Sequence, residues 1–81
     1  MTLWQIFEKL KGEHARSLEK HGKWVDMPEQ KQLTAIHGEF SEWFQAQQSG
    51  DVEGEHGEIE ELVDLMNVAA RRIMYLSGED Q

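Results

Sequence analysis

Two short carboxylate pairs hold most of the chemistry this chain can offer. Glu39 and Glu42 stand three residues apart, as do Glu61 and Asp64. On a helix, side chains at i and i+3 share a face with Cβ atoms about 5–6 Å apart, so each pair can direct its oxygens at one hard cation or at two bound side by side. Four carboxylates converging without a cation would repel one another strongly. Asn67 and Arg71 follow Asp64 at steps of three and four, so an amide and a guanidinium trail the second pair. With sixteen acidic residues in 81, i, i+3 pairs also arise by chance. On pattern alone these acids read equally as solvated helix faces or as a cation site.

The pairs need helices to position them, and the apolar periodicity supplies three. From Thr2 to about His21, Leu3, Ile6, Phe7, Leu10 and Leu18 recur at helical spacing, His14 continues the stripe, and Gly22 supplies a left-handed stop. Lys23 to Pro28 is a short connection ending in a proline suited to the first helical position, with Asp26 or Met27 as the cap. The second helix, 28–49, carries the stripe Leu33, Ile36, Phe40, Trp43 and Phe44. A projection at about 100° per residue puts Glu39 and Glu42 beside that stripe, on the side of Ala35 and Ala46. Glycines and acids between Gly50 and Gly57 read as a loop. The third helix, 57–76, presents Ile59, Leu62, Val63, Met66, Ala69, Ala70 and Ile73, with Glu58, Glu60 and Glu61 at its positive amino end and Arg71 and Arg72 toward the other. Ser77 to Gln81 read as a frayed tail.

One proline, no repeat and 81 residues make residues 1–81 a single all-α domain with a small core. Chains of this size bury only about 60% of their unfolded surface, and without cysteine neither disulfides nor thiolate metal sites can compensate. Oligomerisation or an oxygen-ligated metal is left. A net charge of −8 repels phosphate backbones and anionic lipid, which argues against direct binding of nucleic-acid polymers. The apolar runs are too short to span a bilayer and the amino terminus lacks signal-peptide order, so the reading is no membrane association and a cytoplasmic location.

The stretch from about Gln30 to Ile73 resembles the all-α nucleoside triphosphate pyrophosphohydrolases related to MazG. That family carries Glu-Glu-x-x-Glu on one helix and Glu-x-x-Asp on a later one, and Gly38-Glu39-Phe40-Ser41-Glu42 and Glu61-Leu62-Val63-Asp64 are similar to those motifs, with a fitting loop between them. The resemblance implies that Glu39, Glu42, Glu61 and Asp64 ligate Mg²⁺, with Mn²⁺ as a substitute, and that water attacks the α-phosphorus of a nucleoside triphosphate to release monophosphate and pyrophosphate. It also implies a role in clearing non-standard or excess nucleotides. Two features depart from the family. Gly38 replaces the first glutamate of the longer motif, and the chain stops soon after the third helix where many relatives add a fourth. The second departure leads us to expect a homodimer or dimer of dimers that completes the bundle.

Other residues enter as substrate contacts. Arg71 can meet a phosphate oxygen, Asn67 lies on the same face, Trp24 can stack on a nucleobase or close the core, and His37 adjoins the Gly38-Glu39 step. Core closure is the preferred reading of Trp24, and Trp4 suits a subunit contact. Histidines 14, 21, 37 and 56 lack zinc-ligand spacing. Gly38 in mid-helix suggests a close helix approach or room for a ligand. The expectation is thus three main antiparallel helices with one Mg²⁺ site per chain. A non-enzymatic acidic helical interaction module is the alternative.

Overall fold

A computed structural model describes residues 1–79 of the chain. Three helices form where the periodicity places them: α1 (Leu3–His21), α2 (Glu29–Ser49) and α3 (Glu58–Ser77), with a 3-10 turn at Trp24–Asp26. Thr2 opens α1 with a capping box, its hydroxyl accepting from the Gln5 N–H at 3.2 Å while the Gln5 side chain accepts from the Thr2 N–H at 2.7 Å. Gly22 ends α1 at φ 74° and ψ −167°. The positive φ is the one expected, but the chain leaves extended instead of in the left-handed helical region, a conformation open essentially to glycine alone.

Pro28 is the cap of α2 and not its first helical residue, with its carbonyl accepting from Lys31 at 2.9 Å. The cause is Gln32. Fully buried, it donates to the carbonyls of both Trp24 and Met27 at 3.1 Å, which ties the 3-10 turn down and withholds Met27 from the helix. At the other end, Gly78 adopts the left-handed conformation and the Glu79 N–H reaches back to the Met74 carbonyl at 2.8 Å. Ser77 to Glu79 therefore form a closed C-cap where fraying was expected; the part of that expectation on Asp80 and Gln81 lies outside the described residues.

The α3 helix packs against both α1 and α2. Arg72 near its end meets Glu29 and Gln32 at the start of α2, so these two run antiparallel. Lys9 meets Glu60 and Ser17 meets Arg71, so α1 and α3 run parallel. The order is up-down-up. Among the described residues, no helix is long and apolar enough to cross a membrane.

The core matches the stripes only in part: Val63 is buried and Ile36, Trp43, Ile59 and Met66 are half-buried. Its buried apolar residues are Trp24, Ala46, Val63 and Val68, and α1 buries none completely. On α2, Leu33, Phe40 and Phe44 are exposed, while Gln32 and Ala46 are buried and Ala35, Glu39 and Trp43 half-buried. On α3, Leu62, Ile73 and Leu76 are exposed while Glu61, Asn67 and Arg71 are buried. Polar side chains thus take up much of the buried part of α2 and α3, while Leu33, Phe40, Phe44, Leu62, Ile73 and Leu76 are exposed. Leu3, Trp4 and Phe7 of α1 are exposed as well.

Candidate metal centre

The amino end of α3 is set by the loop before it. Gly57 is its cap and has no side chain to offer, so the Glu58 and Ile59 N–H groups donate to the carbonyls of Asp51 and Val52 at 2.9 and 3.1 Å. A Cβ at Gly57 would stand 2.8 Å from the Val52 carbonyl, so this close return needs glycine. The Asp51 carboxylate holds the loop by accepting from the Gly54 N–H at 3.0 Å. One helical turn further, Glu61 is fixed in depth against α2.

There Glu61 and Asp64 meet Glu39 of α2. One carboxylate oxygen from each of the three lies within 4.8 Å of the others. Glu61 is 6% exposed, and oxygens of Glu39 and Glu61 are buried without a hydrogen-bond partner, as is Oδ1 of Asn67 one turn beyond Asp64. Burial, then the neighbouring Glu42 and Asp64, pushes the Glu39 carboxyl up to about 7. Burial, then Glu13 and Glu61, pushes Asp64 up to about 6. Glu61 is raised too, chiefly by burial and next by Glu42, while His56 opposes the rise. Glu42 itself is exposed and stands on the open side of the cluster. Of the four acids singled out in the sequence, three converge and Glu42 borders them.

Two cavities flank the carboxylates. The first, of about 450 Å³, is lined by Glu39, Asp64 and Asn67 together with Glu13, Arg16, Lys20, His21, Trp24 and Met27. The second, of about 460 Å³, is lined by Glu42, Ser49, His56, Glu61 and Asp64. His56 Nδ1 lies 3.6 Å from Glu61 Oε1, which brings a residue read as part of the loop to the edge of the site.

Trp24 is 2% exposed and its ring lies under the Arg71 guanidinium at 5.4 Å, so it closes the core and also lines the first cavity. Arg71 donates to Ser17 Oγ at 2.9 Å and to the Gly22 carbonyl, clamping α1 and its C-cap onto α3. His37 is exposed and lines neither cavity. A Cβ at Gly38 would meet nothing within 4 Å, so no close helix approach requires this glycine.

The sequence places α1 but gives no sign that it brings Glu13 to the site. Glu13 lines the first cavity with Asp64, adds to the rise of the Asp64 carboxyl, and is ion-paired to Arg16 at 2.5 Å. No motif marks Glu13, because its part depends on the parallel packing of α1 on α3. The oxygen-only donor set, its mutual repulsion and its orphaned buried oxygens all fit a hard divalent cation. No family model matches the chain, and neither does any curated protein or solved structure, so its family reading rests on the motifs of α2 and α3 alone.

Proposed function

We propose that this chain is a Mg²⁺-dependent nucleoside triphosphate pyrophosphohydrolase, active as a homo-oligomer. One observation carries the reading: carboxylates from two helices are gathered in a half-buried seam, at the cost of their own ionisation, beside a cavity large enough for a nucleoside. A fold selected for stability alone would fill that seam with the apolar side chains it leaves outside.

Glu39, Glu61 and Asp64 would hold the cation through their converging oxygens. Mg²⁺ there would supply charge to offset the triphosphate and would lower the pKa of water toward neutral. Glu42, on the open side, accepts the proton of the attacking water. The water oxygen bonds to the α-phosphorus, the bond from that phosphorus to the bridging oxygen breaks, and pyrophosphate leaves. The nucleoside lies in the first cavity against Trp24 and Met27, where the Asn67 amide can meet a polar group of base or sugar. Arg71 acts on substrate through the wall it builds with Trp24. The outward apolar faces of α1, α2 and α3 support assembly of copies, since exposed patches of this kind mark association surfaces.

Pyrophosphate and monophosphate release from a panel of ordinary and modified nucleoside triphosphates with Mg²⁺ tests the reading. Matched release that disappears in Glu61→Gln is the expected result. No release across the panel, together with no Mg²⁺-dependent thermal shift, would leave the interaction module as the better account.

A further inference from the structure

We infer that Arg16 of α1, outside both motifs, contacts the β- and γ-phosphates of the substrate and takes up the charge that develops on the leaving pyrophosphate. The inference rests on the proposed reaction and adds a residue to it. The sequence offers Arg71 for a phosphate contact, but Arg71 is 1% exposed and its guanidinium is engaged by Ser17, the Gly22 carbonyl and the Trp24 ring. The first cavity is also lined by Arg16 and Lys20, both exposed and both on α1. Of these two, Arg16 is the one held at the carboxylate end.

The packing of α1 places it there. The two parallel helices meet through Lys9 at Glu60 and Ser17 at Arg71, so Glu13 falls beside Asp64, while Trp24 lies against Arg71. Asp64 and Arg71 are seven residues apart on one helix, or about 10 Å of rise. A nucleoside against Trp24 with its α-phosphorus at Glu39 and Asp64 therefore directs its remaining phosphates away from Trp24, toward the amino end of α3. Arg16 reaches back along α1 to pair with Glu13 at 2.5 Å, and Asp64 and Glu60 add to the stabilisation of its charge, so the guanidinium stands at that end of the cavity. The pair joins neighbours on one helix and is largely exposed on the Arg16 side, so little is lost when a phosphate takes the place of the carboxylate. A guanidinium meets phosphate oxygens through two parallel N–H donors. The reaction needs such a partner, because one divalent ion among these acids does not offset a triphosphate, and negative charge grows on the pyrophosphate as its bond to the α-phosphorus breaks.

Steady-state hydrolysis of the triphosphate that the wild type turns over fastest, with product inhibition by inorganic pyrophosphate and by the matching monophosphate, tests this. Arg16→Gln is expected to lower kcat/KM about 10- to 100-fold, the range of a hydrogen bond to a charged group, with helicity unchanged. It is also expected to weaken inhibition by pyrophosphate by about tenfold or more and to leave inhibition by the monophosphate as it was. Arg16→Lys keeps the charge without the forked donors and should fall between the two. Lys31→Gln, an equal loss of charge at an exposed position of α2 that lines neither cavity, should match the wild type. An Arg16 that served only to pair with Glu13 would move both inhibitions together or neither, and either result would overturn the inference while the hydrolase reading stands. So would an Arg16→Gln variant with the kcat/KM of the wild type. No hydrolysis of any triphosphate by the wild type would overturn both.

Discussion

Replacing Glu39 with glutamine should stabilise the metal-free protein at pH 8 and leave it unchanged near pH 4. In the folded chain the Glu39 carboxyl is raised from an ordinary 4.5 to about 7, first by burial and then by Glu42 and Asp64. Below pH 4.5 the group is protonated in both folded and unfolded chains, so it contributes no penalty. Between 4.5 and about 7 the unfolded chain has released its proton while the folded chain still holds it, so stability falls as pH rises, and above that range the loss is constant. Each pKa unit corresponds to about 1.4 kcal/mol, which sets an upper bound of about 3 kcal/mol. Glu39 is only half-buried and shares its repulsion with coupled neighbours, so the realised penalty is about 1–2 kcal/mol. In a domain this small that is roughly 5–15 °C in Tm. Thermal melts in chelator at pH 4, 5 and 8 measure it: the wild type should lose stability from pH 5 to 8, and Glu39→Gln should lose less. Adding Mg²⁺ should reverse the order, because only the wild type retains the full ligand set. A wild-type Tm that rises from pH 5 to 8 in chelator, or a Gln variant less stable at pH 8, would refute the electrostatics argued for the seam.

Three further outcomes follow from the packing. Arg71→Ala removes the charge-assisted hydrogen bonds to Ser17 and the Gly22 carbonyl that clamp α1 onto α3, together with the contact over the Trp24 ring, and should cost about 2–4 kcal/mol by urea unfolding; a loss under about 1 kcal/mol would deny the clamp. Gly38→Ala should gain about 0.5–1 kcal/mol from helix propensity alone, since its Cβ meets nothing within 4 Å, and a loss would mean that something in solution approaches there. The double change Phe40→Ser, Phe44→Ser should shift sedimentation from an oligomer to a monomer, because both rings are about half exposed on one face of α2; an unchanged oligomer would place the contact on another face.

Helix limits were legible almost to the residue, because Gly22, Pro28, Gly50 and Gly57 punctuate the chain and local sequence decides where a helix can start and stop. The acid pairs were legible for the same reason, their spacing being a property of one helix at a time. What periodicity misplaced was the inside of the bundle. It assigns the broadest apolar stripe to the core, yet Phe40 and Phe44 lie outside while Gln32 and Glu61 lie within. That assumption fails where large apolar side chains stand exposed and polar ones such as Gln32, Glu61, Asn67 and Arg71 are buried. The place of Glu13 and the clamp made by Arg71 were invisible because both arise from contacts across about 50 residues with a helix whose direction no local signal fixes.

We propose that water attacks the α-phosphorus of a nucleoside triphosphate at the Glu39, Glu61 and Asp64 site. Hydrolysis with Mg²⁺ in water labelled with heavy oxygen, followed by mass analysis of both products, decides the point. One labelled oxygen is expected in the monophosphate and none in the pyrophosphate, with no product from Glu61→Gln. Label in pyrophosphate or orthophosphate, or turnover that survives Glu61→Gln, would overturn the proposal.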